Sequence, residues 1–230
     1  MLETSAQRIL DTLPGDALVL DVGGGVKPFN RADWIMDALP YEERSSQGSI
    51  GPEPERFSEQ TWARRDFCDR EAWPFADKQF DFAICSHTLE DVRDPIWMCS
   101  ELNRVAKAGY IEVPSRLEEQ TYGFQGPWTG WSHHRWLIDV DQARSRITFV
   151  HKSGVVERGD SHFPAEFWKT LSTDERVSTL WWENGFAFEE RLFWDFVEFD
   201  EWLRQPLLGR EPAGSPTRRR GLRGLLRGRG

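Results

Sequence analysis

The stretch Ala17-Leu18-Val19-Leu20-Asp21-Val22-Gly23-Gly24-Gly25 decides the fold. Its first six residues carry a single acid near the end and show no polar alternation, the pattern of a strand buried on both faces of a parallel sheet. The run opens into three glycines, and the missing Cβ atoms let backbone amides approach a ligand that any side chain would exclude. No Gly-Lys-Ser/Thr follows, so this is not a phosphate-binding P-loop. The third glycine of the dinucleotide fingerprint is missing as well. A tight structural turn is the alternative reading of the triplet.

Upstream, Leu2, Ala6, Ile9, Leu10 and Leu13 recur at helical spacing until Pro14-Gly15-Asp16 breaks the pattern, which predicts an amphipathic helix over 3–13. Downstream, 33–36 reads as a second strand ending at Asp37, reached by a link too short for a crossover helix. Residues 40–60 are polar with two prolines and read as a mobile loop. Residues 61–67 predict a third strand leading to Asp66, and 80–85 a fourth. Asp94-Pro95 supplies an N-cap and first-turn proline for a helix with Met98, Cys99, Leu102, Val105 and Ala106 inward, ended by Gly109. Residues 110–114 give a fifth strand. Strand and helix alternating in this way define an α/β chain whose mostly parallel sheet is flanked by helices, with ligands expected at the carboxyl ends of the strands.

Beyond Ser115 the texture changes. Residues 136–140 and 146–150 read as a hairpin, Ser172-Thr173-Asp174-Glu175 as a capping box opening a helix that stops at Asn184-Gly185, and 186–193 as a last strand. The organisation expected is one domain over 1–211, with its core in 1–115 and a Trp-rich elaboration in 116–211, then an Arg/Gly-rich tail, 212–230, expected to lack structure on its own.

Composition bounds the function. The chain has 230 residues, 39% apolar and 29% charged, and no apolar run long enough to span a bilayer. The opening residues 1–8 have an acid where a signal peptide needs bases, so the expected compartment is cytoplasmic. Three cysteines without a C-x-x-C pair, Cys68, Cys85 and Cys99, signal neither a disulfide framework nor a zinc knuckle and read as buried thiols. The net charge is -9, but 212–230 holds six arginines and no acid. The remainder has 23 basic and 38 acidic residues, or -15. So acidic a body is a poor general binder of nucleic acid.

Taken together, the block Val19 to Gly25, Asp37, Arg65-Asp66-Phe67, the run Trp73 to Val92, the stretch Asp94-Pro95 to Arg104-Val105, and Gly109 to Ser115 resembles the class I S-adenosylmethionine-dependent methyltransferases, with type 11-like motifs. The resemblance implies a Rossmann-like fold and S-adenosylmethionine as cofactor, leaving as S-adenosylhomocysteine. It also implies that Asp21 and Gly23, Gly24 and Gly25 line the methionine moiety, that Asp37 takes the ribose hydroxyls, and that Asp66 with Phe67 holds the adenine. Ser86, at the end of the fourth strand, joins this set. A forked carboxylate suits a vicinal diol, and an adenine amino group needs an acceptor. Solvated strand ends are the alternative for Asp37 and Asp66.

His87 stands just past the fourth strand, where the resemblance places residues beside the transferred methyl. An unshifted imidazole titrates near neutral pH and suits a general base; a hydrogen-bonded structural histidine is the alternative. His133 and His134 are the other candidate bases. Adjacent residues on an extended chain point apart and no third ligand is spaced with them, so no metal is expected. Trp128, Trp131 and Trp136 flank the pair and would wall an acceptor pocket for a sugar or aromatic metabolite. Trp168, Trp181, Trp182 and Trp194 read as core. The expected activity is methyl transfer to a hydroxyl or amine of a small metabolite. RNA methylation using the basic tail, and a catalytically silent binding module, are the alternatives.

Overall fold

The computed structural model describes residues 1–208, so the expectation for the 212–230 tail falls outside the described residues. In chain order the elements are α1 (Glu3–Thr12), β1 (Val19–Val22), β2 (Trp34–Asp37), β3 (Trp62–Arg64), β4 (Phe80–Ser86), α2 (Pro95–Val105), β5 (Ala106–Pro114), α3 (Arg116–Glu119), β6 (Trp136–Asp141), β7 (Arg146–His151), α4 (Ala165–Trp168), β8 (Val177–Glu183), β9 (Ala187–Glu190) and α5 (Phe196–Arg204). The main sheet runs β3-β2-β1-β4-β5-β8. Its first five strands are parallel and β8 is antiparallel to β5. A smaller sheet, β6-β7-β9, joins the 136–151 hairpin to β9, which pairs parallel to β7.

The apolar run of β1 is buried on both faces as its sequence requires. Val19 joins Ala6 and Ile9 of α1 with Phe82, Ile84 and Tyr110, while Leu20 and Val22 join Met98, Leu102 and Val105 of α2 together with Ile138 and Phe149 of the hairpin. Each such fully buried aliphatic side chain contributes about 1.5 to 3 kcal/mol. The hairpin thus does for one face of the sheet what crossover helices do elsewhere. No helix lies between β1 and β2, whose connection is the irregular turn expected around residues 27–29.

Several expectations are corrected. The helix begins as read, with the Asp94 side chain accepting the Trp97 amide, but stops at Val105. Gly109 lies inside β5, where a Cβ would come within 2.4 Å of the Ala83 carbonyl oxygen and 2.6 Å of the Trp182 ring. The 172–175 capping box forms reciprocal bonds between Ser172 and Glu175, yet the expected helix is only a 3-10 turn, Asp174–Arg176, before β8. The β-branched and aromatic residues of 177–182 pair along the open edge of β5 instead, a tertiary contact that overrides the local cap. The strand expected at 186–193 is only Ala187–Glu190. Helix α5 was not expected, although Asp195 caps it through the Val197 amide. Trp194 is not core: it is 92% exposed. Nor is 40–60 a loose loop, because the Ser45, Gln47 and Ile50 amides donate to the Gly25, Val26 and Pro28 carbonyls.

Candidate active site at the carboxyl ends of the first and fourth strands

Because β1 and β4 are adjacent and parallel, their carboxyl ends bring Asp21, Gly23, Gly24, Ser86 and His87 around one cavity of about 210 Å³. Each glycine of the triplet is required by the chain's own side chains. Gly23 has φ 80° and a Cβ there would meet Thr88 Oγ1 at 2.0 Å; at Gly24 it would meet Asp21 Oδ2 at 2.2 Å, and at Gly25 the Asp37 carboxylate at 2.6 Å. The loop is therefore built around two carboxylates. Asp21 accepts the Phe29 amide at 2.9 Å, and Asp37 accepts the Gly25 and Leu39 amides, each at 2.8 Å. Burial pushes the Asp21 carboxyl up to about 7, against the pull of the Phe29 amide and of the N-terminal charge, with a smaller upward contribution from the nearby Asp37 charge.

His87 has φ 53°, in the left-handed region that costs a non-glycine residue about 1 to 3 kcal/mol. Its Nε2 lies 3.0 Å from Glu112 Oε1 and its Nδ1 3.4 Å from Glu90 Oε1, while 43% of the side chain stays exposed. Partial burial opposes its charge, but bonds from Glu112 and Glu90 prevail and raise it to about 9. Glu112 is buried too, which would raise it. The His87 bond, the N-terminal charge, the Tyr110 hydroxyl and the Leu2 amide outweigh burial and hold it at about 2. His87 is thus an imidazolium at neutral pH and does not meet the expectation of a base that titrates near 7. Glu112 went unassigned in the sequence, although an acid inside the apolar run Tyr110-Ile111-Glu112-Val113 is a signal for a buried, partnered carboxylate.

Other predicted residues lie apart. Asp37 touches Gly25 but does not line the cavity, and Phe67 is a core residue at 8% exposure. Asp66 is exposed and accepts the Cys68 amide at 2.8 Å. Trp136 is also core: it is 7% exposed and donates Nε1–H to the Val92 carbonyl. Trp128, Trp131 and His134 line a separate hollow of about 280 Å³. The segment bearing them rests on the chain just after β4, where the Arg135 amide donates to the Glu90 carbonyl. His134 is nearly enclosed, its Nδ1 2.7 Å from Glu119 Oε1, and Lys152 Nζ lies 2.9 Å from the other Glu119 oxygen. His133 is 59% exposed.

A sheet ordered β3-β2-β1-β4-β5 with an antiparallel neighbour, and a glycine loop after β1, defines a Rossmann-like methyltransferase fold. A family model described as a methyltransferase domain matches residues 54–111. A protein of Mycobacterium sp. strain KMS named "Uncharacterized methyltransferase" is 28% identical over 158 residues, covering 67% of this chain and 58% of its own. The chain thus spans less than two thirds of that relative's length. Among solved structures, a chain from the complex of the Haloferax volcanii Trm112 methyltransferase activator with a methyltransferase superposes with a TM-score of 0.39 at 15% identity, over 76% of this chain and 86% of that one. An S-adenosylmethionine-dependent methyltransferase from Mesorhizobium loti gives 0.35 at 14%, over 62% and 61%. The chain is thus similar to methyltransferases, through a methyltransferase-domain match over residues 54–111 and relatives named as methyltransferases. Among the described residues no helix is long and apolar enough to cross a membrane.

Proposed function

We propose that the chain moves the methyl group of S-adenosylmethionine to a hydroxyl or amine of a small metabolite, a sugar or other secondary metabolite, in one in-line displacement. The observation that carries this reading is the cavity where Asp21, Gly23, Gly24, Ser86 and His87 meet. The cofactor supplies a methyl group made electrophilic by a sulfonium centre. Asp21 suits its cationic amino-acid end, because a buried carboxyl pushed up to about 7 gains a counter-charge when a cation arrives. Gly23, Gly24 and Gly25 keep the loop close enough to shape that end of the site. Asp37 spends one acceptor position on each of two amides and keeps others for a ribose diol. Asp66 and Phe67 mark the adenine side.

At about 210 Å³ the cavity is below the roughly 300 Å³ at which ligand pockets begin. For the whole cofactor to enter, residues 45–50, hydrogen-bonded to 25–28, would have to move outward. Holding an acceptor oxygen or nitrogen about 3 Å from the methyl carbon, with water excluded, supplies several kcal/mol through effective molarity. His87, already protonated, orients through its charge rather than taking the acceptor's proton. The Trp128 and Trp131 hollow, separate from the cofactor cavity, has flat faces that suit the far end of an extended acceptor.

Calorimetry with S-adenosylmethionine and S-adenosylhomocysteine at pH 6 and pH 8 tests the reading. Affinity is expected to rise from pH 6 to pH 8 as Asp21 ionises, and Asp21→Asn is expected to abolish that rise and weaken binding by about tenfold or more. No binding by the wild type overturns the reading. Binding without turnover over a metabolite pool supports the catalytically silent module instead.

A further inference from the structure

His133 and His134 do not diverge. Residues 132 and 133 form a turn, which abolishes the alternation of an extended chain, and the two imidazole centroids lie 4.6 Å apart at 78°. Asp91 arrives from the segment after β4, so the sequence separation of more than forty residues hid the third group. His133 Nε2 is 3.9 Å and His134 Nε2 3.8 Å from the same oxygen, Asp91 Oδ1, and the three donor atoms lie within 4.8 Å of one another. We propose that Asp91, His133 and His134 bind one divalent transition-metal ion.

The gaps favour this over hydrogen bonding. Direct N–H···O bonds close to about 2.7 to 3.2 Å, whereas ligand atoms each about 2.1 Å from a tetrahedral ion stand about 3.4 Å apart. The observed gaps need only a small inward movement. Tautomer is arranged as well. Glu119 takes the Nδ1–H of His134 at 2.7 Å, which leaves the Nε2 lone pair aimed at the site, and Lys152 anchors Glu119 from behind. Glu90 adds negative charge nearby: it is 1% exposed, its Oε1 lies 3.4 Å from His87 Nδ1, and its charge acts on Asp91.

Two imidazoles and one carboxylate suit zinc, cobalt or nickel, whereas magnesium and calcium prefer oxygen donors throughout. Three protein ligands leave a position for water or a substrate oxygen, on the side where His133 and Asp91 are open. A role toward an acceptor hydroxyl rests on the methyl-transfer reading; the site itself does not. With the metal bound, His133 and His134 would no longer be free to act as bases.

The test uses the full chain freed of metal by a chelator, titrated with cobalt(II) by visible absorption and with zinc(II) by calorimetry. One ion per chain is expected, with d–d bands showing nitrogen ligation, and zinc displacing cobalt. His133→Ala and Asp91→Asn, both at exposed positions, are expected to weaken binding at least 100-fold with unchanged melting in chelator. Glu119→Gln is expected to cost about 10- to 100-fold, and His162→Ala nothing. Absence of cobalt bands in the wild type, or equal binding by His133→Ala and Asp91→Asn, overturns the proposal. S-adenosylmethionine calorimetry in chelator reads the methyl-transfer proposal separately.

Discussion

At the scale of single residues, the His87–Glu112 pair sets the charge of the cavity floor. The His87 value of about 9 lies above the ordinary 6.5, so its contribution to stability is complete below about pH 6.5 and is lost as pH rises through about 9. Glu112, at about 2 against an ordinary 4.5, contributes fully above pH 4.5 and loses its contribution as pH falls through about 2. Between those limits the pair is an ion pair, one side of it open to solvent, so its free energy is small compared with that of a buried pair. Proton NMR titration is expected to show the His87 ring titrating near pH 9, and Glu112→Gln to bring it down toward 6.5. A wild-type midpoint near 6.5 would restore His87 as a candidate base.

At the scale of elements, β5 shows how one glycine couples two strands and a ring. Ala83 and Gly109 are register partners in β4 and β5, and Trp182 of β8 covers the same spot from the other side. A methyl group there meets backbone on one side and a large, 3% exposed ring on the other, so neither yields easily. Gly109→Ala is expected to destabilise the fold by about 3 kcal/mol, the upper end of overpacking costs, read as a lower urea midpoint at unchanged slope. A change below about 0.5 kcal/mol would show that β8 is not held against β5 in solution. The same contact explains why 177–183 is a strand: β5 offers an unpaired edge, and Leu180 and Trp182 fill the sheet face beside Ile111 and Gly109.

For the whole molecule, charge separates the small-metabolite reading from the RNA one. Removing 212–230 changes the net charge from -9 to -15. The truncated chain is expected to keep its melting temperature and its S-adenosylmethionine affinity, while any retention on single-stranded RNA falls, with the salt slope of log K reduced by up to about 4 if all six arginines meet phosphates. Loss of small-molecule turnover on truncation would overturn this; loss of turnover on RNA alone would promote the RNA alternative.

The sequence by itself determined the order β1 to β5, the helices α1 and α2, the trimmed β1–β2 link, and the hairpin, because each rests on local periodicity, on turn residues or on a cap within a few positions. It also brought Asp21, Gly23, Gly24, Ser86 and His87 to one place, since adjacent parallel strands end on the same side. Only the tertiary structure decided the rest. A capping box at 172–175 opened no helix because an unpaired β5 edge was worth more than local propensity. His87 gained its charge from Glu112, twenty-five residues away on the neighbouring strand. Trp136 went to the core while Trp194 stayed in solvent. Asp91 met His133 and His134 across a turn that no local pattern announces, because contacts between side chains distant in sequence depend on how sheet and hairpin are packed, which spacing along the chain does not encode.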